Sequence, residues 1–282
     1  MPKPLSTLTR EQASKIKWLL TDVDDTLTWE GKLPAETLLA LDKLNTAGVK
    51  IVPVTGACAG WCDQIARLWP VHGVIGENGA FWMQKNARGF LTITLYPMEK
   101  MRSRQHELMN DLNVLLKDYP DIGFADDQAF RFCDVAINLS QDREPIDEAI
   151  CQELLDSIRQ LRVDGEVVNA ALSSIHLNVW VGHHSKRFTA EHYLLENAEN
   201  GMIQLDEVAY VGDSLNDESM FAWLSNTVGV NNIEPVLDKL AVKPAYIATR
   251  NGGYGFAELA EVILQAKETR LAIMQDRKVA QL

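Results

Sequence analysis

Apolar residues fall along the chain in two rhythms. Residues 18–21, 49–54, 71–75 and 208–211 form short unbroken runs, rich in branched side chains and bounded by Gly, Pro or Asp. Runs of this length without polar alternation belong to strands covered on both faces, as in a parallel sheet. Between them the spacing turns helical. Leu38, Leu41 and Leu44 share one face, Pro34 suits a first helical turn, and Gly48 follows as a C-terminal cap. The strand, helix, strand order predicts an α/β fold, doubly wound, with a mainly parallel Rossmann-like core sheet that binds ligands beyond the carboxyl ends of its strands. Residues 227–230 and 246–248 are expected as edge strands, and the chain from 256 onward as a closing helix.

From residue 84 to 181 the pattern changes. It predicts a long helix at 98–116, a strand at 130–138, a helix at 145–161 and strands at 166–169 and 175–181. The turn-rich Glu77-Asn78-Gly79-Ala80 precedes this stretch and opens a hairpin whose second arm is 90–96. An inserted α+β cap domain at 84–181 follows, splitting the catalytic core into 1–83 and 182–282. The first ten residues and residues 276–282 are expected to be loosely held.

Composition narrows the class. The chain has 282 residues, 46% of them hydrophobic, enough for a substantial core, and a net charge of -12. That charge argues against a nucleic-acid binder with a broad basic surface. An acidic protein that handles an anionic substrate must concentrate positive charge locally, through a metal, a lysine or helix N-termini. No run approaches the roughly 20 apolar residues of a membrane span, and the N-terminus has no apolar leader. The expected location is the cytoplasm. Cys58, Cys62, Cys133 and Cys151 are too few and scattered for a disulfide framework and read as buried free thiols.

The candidate chemistry begins where the run at 16–21 ends in Asp22, Asp24, Asp25 and Thr26. Three carboxylates within four residues at a buried strand end repel one another and need a cation, hydrogen bonds or shared protons. Magnesium suits such a site because it takes oxygen ligands and leaves positions for water and substrate phosphate. The competing reading is an acidic turn capping the next helix. At the end of the second strand, Thr55 and Gly56 are placed to offer a hydroxyl and backbone N–H groups to an anion, or form a capped turn. His183-His184 reads as a polar surface or loop pair, whereas Lys186 precedes a helix where the chain returns to the core. The run at 208–211 leads into Gly212-Asp213-Ser214-Leu215-Asn216-Asp217, again a strand ending in glycine and acid, with a second acid at a helix start.

In this order and spacing, Asp22-Val23-Asp24-Asp25-Thr26, Thr55-Gly56, Lys186 and Gly212 through Asp217 resemble the four motifs of the haloacid dehalogenase (HAD) superfamily. The insertion after Glu77-Asn78-Gly79-Ala80 resembles the type IIB cap of its Cof-like, sugar-phosphate phosphatase branch. The resemblance implies that Asp22 is a nucleophile forming an aspartyl-phosphate, and that Asp24 protonates the leaving oxygen and then takes a proton from water. It implies Mg2+ held by the Asp22 carboxylate, the Asp24 carbonyl and Asp213. Thr55 and Lys186 would bind phosphoryl oxygens, while Asp217 and Asn216 would act around the metal and Lys186, as ligand or in the layer behind. Two positions depart from the pattern: Ala57 stands where many type II members carry arginine, and Asp25 where glycine is frequent.

The expected function is therefore a magnesium-dependent phosphomonoester hydrolase acting on a small phosphorylated metabolite, a sugar phosphate in particular. The nearest rival returns the phosphoryl group to a sugar, as phosphomannomutases do. A catalytically silent binding module is the other, against which the intact Asp22, Asp24, Lys186 and Asp213 speak. In the cap, Arg102, Arg131 and His176 read more readily as surface residues than as substrate ligands.

Overall fold

The computed structural model describes residues 1–87, 89–141, 143–173, 175–198 and 201–279, with side chains to residue 270. In chain order the strands are β1 (Lys3–Pro4), β2 (Trp18–Thr21), β3 (Lys50–Pro53), β4 (Val74–Gly76), β5 (Phe81–Asn86), β6 (Gly89–Thr94), β7 (Val135–Asn138), β8 (Arg162–Val163), β9 (Glu166–Leu172), β10 (His176–Val181), β11 (Val208–Gly212), β12 (Asn226–Gly229) and β13 (Tyr246–Ile247). The helices are α1 (Arg10–Lys15), α2 (Ala35–Thr46), α3 (Ala59–Leu68), α4 (Met98–Leu115), α5 (Glu148–Ile158), α6 (Lys186–Asn197), α7 (Glu218–Trp223) and α8 (Gly252–Val279). The chain divides into two compact units: Met1–Val54 with Leu68–Gly73 and His192–Leu282, and Thr55–Arg67 with Val74–Glu191. The insertion drawn at 84–181 lies inside the second unit, which also takes in 55–67, 74–83 and 182–191.

The first unit is built on a six-stranded sheet of order β1-β13-β12-β11-β2-β3, in which every neighbouring pair is parallel. Every residue of β2, β11 and β12 is buried, as strands covered on both faces require. From β2 the chain moves one way, through α2, to β3. It later returns to the other flank of β2 at β11 and continues outward to β12 and β13. The order therefore reverses between β2 and β11, the place where open α/β sheets bind their ligands. Helix α8 packs against α1 and α2.

Three expectations for this unit are corrected. The N-terminal residues are held, because β1 pairs with β13, Leu5 is 1% exposed, and Thr9 and Gln12 form a capping box on α1. The two expected edge strands are both inner ones, β13 between β1 and β12, and β12 between β13 and β11. At the other end, α8 runs to Val279, so 276–279 are helical, and 280–282 lie outside the described residues.

The second unit carries an antiparallel sheet β4-β5-β6 and a four-stranded antiparallel sheet β7-β10-β9-β8. Helices α4 and α5 bury Leu108, Leu112, Leu154 and Ile158 against Val135, Ile137, Leu177 and Val179 of this larger sheet. The run at 71–75 yields only β4, at 74–76, and it pairs antiparallel with β5. The strand expected from residue 130 begins at Val135, because the amides of Phe132, Cys133 and Asp134 donate to the Glu77 carboxylate and are withdrawn from any ladder. All four cysteines are free and buried. Among the described residues, no helix is long and apolar enough to cross a membrane.

In the first unit Trp18 meets His72 edge-on at 5.0 Å, His72 Nδ1 lies 2.7 Å from the Tyr193 hydroxyl, and Lys50 Nζ sits 4.5 Å over the Trp18 ring. Burial, reinforced by the Lys50 charge, brings the His72 imidazole down to about 4. An unfolded histidine takes up its proton near 6.5. The stability this neutral ring contributes is therefore complete above 6.5 and is lost as pH falls from there towards 4. His72→Gln is expected to flatten that part of the acid-unfolding curve, measured by circular-dichroism melts between pH 4 and 7.

Candidate active site

The first unit gathers its acids at the switch point. Leu20 pairs with Tyr210 and Thr21 with Val211, and the Asp22 N–H donates to the Val211 carbonyl at 2.9 Å. Asp22 and Asp213 therefore leave adjacent parallel strands at the same sheet edge. With Asp217 they form a buried trio whose ligand atoms lie within 4.8 Å of one another. Asp24 follows in a turn, half-buried, where the Val23 carbonyl accepts from the N–H groups of Thr26, Leu27 and Thr28.

The loop after β11 is ordered by Asp217. Its Oδ2 accepts from the N–H groups of Asp213 and Ser214 at 3.0 and 3.1 Å, and its Oδ1 accepts from the Tyr210 hydroxyl. Gly212 makes this possible, since a Cβ there would stand 2.4 Å from Asp217 Oδ2. Asp217 thus holds the loop that presents Asp213, and half-buried Asn216 accepts from the Ser214 hydroxyl at 3.1 Å. Thr26 donates to Asp213 Oδ1 at 3.1 Å, and Asn232 donates to the Asp25 carbonyl at 3.0 Å and towards Asp213 Oδ2 at 3.4 Å.

These donors do not neutralise the cluster. Burial first, then the charges of Asp22, Asp217 and Asp25, hold the Asp213 carboxyl well above the usual carboxylate range, with only the Thr26 bond lowering it. Burial, then the charges of Asp217, Asp22 and Asp213, keep Tyr210 protonated as a donor. A small oxygen-seeking divalent cation fits this all-oxygen donor set and would relieve the repulsion. Asp22, Asp213 and Asp217 each offer an oxygen that could hold it, with Asp217 also committed to the backbone amides of its own loop.

Thr55, Gly56 and Lys186 belong to the second unit. Thr55 is buried, accepts from the Ala57 N–H through its hydroxyl at 3.0 Å, and from the Asn78 N–H through its carbonyl at 3.0 Å. Buried Lys186 opens α6. The Glu77-Asn78-Gly79 turn positions both neighbourhoods, with all three residues at positive φ. Glu77 is buried and accepts four backbone N–H bonds, from Ala59, Phe132, Cys133 and Asp134. Gly79 accepts from the Thr189 hydroxyl at 2.6 Å, and a Cβ there would stand 2.4 Å from the Ser185 carbonyl, so α6 seats directly on the glycine.

Three readings of this unit are corrected. Arg131 and His176 are buried rather than on the surface, because each has polar partners inside. Arg131 pairs with Asp127 and Asp134 and donates to the Gly56 carbonyl at 2.9 Å, while His176 lies 2.6 Å from Gln141 Oε1. Of the histidine pair, His183 is exposed but His184 is buried. Arg102 is exposed as expected.

Residues 94–257, more than half of the chain, match the family of haloacid dehalogenase-like hydrolases. The chain belongs to that family. The matched stretch includes Lys186 and Asp213 through Asp217 and begins after Asp22 and Thr55. The chain is 25% identical over 252 residues to a phosphoglycolate phosphatase from Methanobrevibacter smithii, covering 86% of this chain and 96% of that one. Among solved structures its fold matches a HAD/COF-like hydrolase from Plasmodium vivax (TM-score 0.65, 16% identity, 91% of this chain and 99% of that one). It also matches the sucrose-phosphatase from Synechocystis (TM-score 0.59, 14% identity, 87% and 97%).

The two departures from the HAD pattern have local accounts. Ala57 is enclosed in backbone bonds, its N–H on Thr55 and its carbonyl accepting from the Glu77 N–H at 3.2 Å. Asp25 has φ +54, a conformation that glycine adopts freely and Asp or Asn tolerate best among the rest. Asn232 had no sequence signal, and Thr26 and Glu77 stood in motifs without a role assigned to them, because their partners come from distant segments. Asp25→Gly is expected to leave stability within about 0.5 kcal/mol of wild type, and Asp25→Val to lower it by about 1–2 kcal/mol, measured by urea denaturation.

Proposed function

We propose that the protein is a cytoplasmic, magnesium-dependent phosphomonoester hydrolase that acts on a small phosphorylated metabolite, a sugar phosphate or phosphorylated sugar derivative, through an aspartyl-phosphate on Asp22. The carrying observation is the buried trio Asp22, Asp213 and Asp217 at neighbouring strand ends. A relative named phosphoglycolate phosphatase supports a small phosphorylated metabolite, and a structural neighbour named sucrose-phosphatase supports a sugar phosphate. Four free thiols suit a reducing compartment.

In this reading the Asp22 carboxylate attacks phosphorus, splitting hydrolysis into two easier steps. Asp24 gives its proton to the leaving oxygen and then accepts one from the attacking water. Thr55, the Gly56 N–H and Lys186 bind phosphoryl oxygens, and Lys186 supplies the local positive charge that an acidic protein needs. Asp22, Asp213 and the Asp24 carbonyl would hold Mg2+, which when bound offsets the charge of both carboxylates and phosphate. Asp217 and Asn216 keep the Asp213 loop in place. The insertion at 84–181 acts as the cap that chooses the substrate.

Purified protein with magnesium is expected to release phosphate from a panel of phosphorylated sugars, sugar acids and nucleotides. Asp22→Asn should remain folded and lose about 10³-fold or more in kcat. Full activity in that variant would remove Asp22 as nucleophile, and hexose phosphate isomerisation with little free phosphate would mark a mutase instead.

A further inference from the structure

We propose that β6 is an association edge, at which two copies of this chain pair their β6 strands antiparallel about a two-fold axis at Thr92. The three-stranded sheets β4-β5-β6 of the two copies then become one continuous sheet. No residue of the proposed catalytic site takes part.

Strand β6 pairs with β5 on one side only. Its residues are exposed or half-buried, whereas every residue of β4, at the other border of the sheet, is buried. The register decides which backbone groups face outward. The Leu95 N–H donates to the Ala80 carbonyl at 3.1 Å, and along an antiparallel ladder hydrogen-bonded pairs alternate with unbonded ones. Gly89, Leu91 and Ile93 therefore turn their N–H and C=O groups to β5, while Phe90, Thr92 and Thr94 turn theirs away from it. Among the described residues these outward groups have no backbone partner.

Natural sheets protect such an edge with charged side chains, proline, a bulge or a covering segment. This one carries none of the first three. Residues 89–95, Gly-Phe-Leu-Thr-Ile-Thr-Leu, include no charge and no proline, and the pairing with β5 runs unbroken from Thr94 opposite Phe81 to Gly89 opposite Asn86. Leu91 and Ile93 are each 37% exposed. Acids are missing over a longer span still. None occurs from Ala80 to Met98, in a chain of 39 acids and net charge -12. Two copies that repel one another elsewhere meet here without opposed carboxylates.

The strand is also complementary to itself, which selects a second copy over a foreign strand. With the axis at Thr92, that residue exchanges both backbone bonds with the second copy's Thr92, and Phe90 does the same with its Thr94. On the opposite face Leu91 lies beside the second copy's Ile93 and Ile93 beside its Leu91, apolar cross-strand pairs in the closer, unbonded positions. Pairing consumes the exposed border of both sheets, so association closes at the dimer. The six residues of β6 make an edge about 20 Å long and one sheet thick, well short of the roughly 1,200 Å2 or more that a permanent dimer buries. The dimer is therefore weak and reversible.

Sedimentation velocity on the full-length protein, from about 1 to 200 μM, is expected to show a reversible monomer–dimer equilibrium. Thr92→Pro removes the N–H at the axis, which serves no bond within the protomer, so an edge strand tolerates it. It should weaken the dimer about tenfold or more, with melting curves checking that the variant is folded. Leu91→Glu and Ile93→Lys should each weaken it as well. An equimolar mixture of those two variants should regain it, because the introduced carboxylate of one chain lies opposite the introduced ammonium of the other. That recovery reads the register and does not depend on the proline variant. A wild type that stays monomeric throughout overturns the second-copy assignment and leaves the edge to a strand of another protein. Undiminished dimers in folded Thr92→Pro, no recovery in the mixture, or growth of wild type beyond the dimer each overturn the two-fold pairing.

Discussion

Mutual repulsion among Asp22, Asp213 and Asp217 is the constraint on which the first unit depends. The chain brings these acids together by pairing β2 with β11 in parallel register, so that two segments far apart in sequence end at one sheet edge. Burial strengthens the repulsion and holds Asp213 above the ordinary carboxylate range. Thr26, Asn232, Tyr210 and two backbone amides donate into the cluster, and each fixes an oxygen without cancelling a charge. A fold that keeps such a cluster gives up stability of the empty chain, and the three carboxylates could hold a cation.

The second unit treats its buried charges in the opposite way. Glu77 is saturated by four amide N–H groups, and Arg131 is enclosed by two carboxylates and a carbonyl. Burial by itself would lower the Arg131 pKa, and the Asp134 and Asp127 charges more than reverse it. These groups hold backbone segments together and have no capacity left for a ligand. Arg104 and His184 differ because their buried nitrogens are unmatched.

The parallel core was legible where its strands are apolar runs, and β2, β3 and β11 lie within a residue or so of where the pattern put them, whereas β12 has the expected span but lies inside the sheet rather than at its edge. The acids at their ends were legible for the same reason, since polar residues that interrupt a buried run must have a purpose. Long-range pairing was not. Nothing near residue 5 announces β13, and nothing near residue 132 announces that Glu77 will claim its amides. Arg131 and His176 looked like surface residues because arginine and histidine usually are, and only their tertiary partners make burial tolerable. Asn232 and Thr26 serve the acid cluster through side chains whose importance exists only after the sheet has assembled.

The most direct test of this account is a magnesium titration of thermal stability in wild type and Asp213→Asn. Wild type is expected to gain about 2.7 kcal/mol when magnesium reaches a hundred times its dissociation constant. Asp213→Asn, relieved of one buried charge, should melt no lower than metal-free wild type and should lose the magnesium response. A wild-type melt indifferent to magnesium, or an undiminished response in Asp213→Asn, would contradict the claim that these carboxylates are assembled to hold a cation.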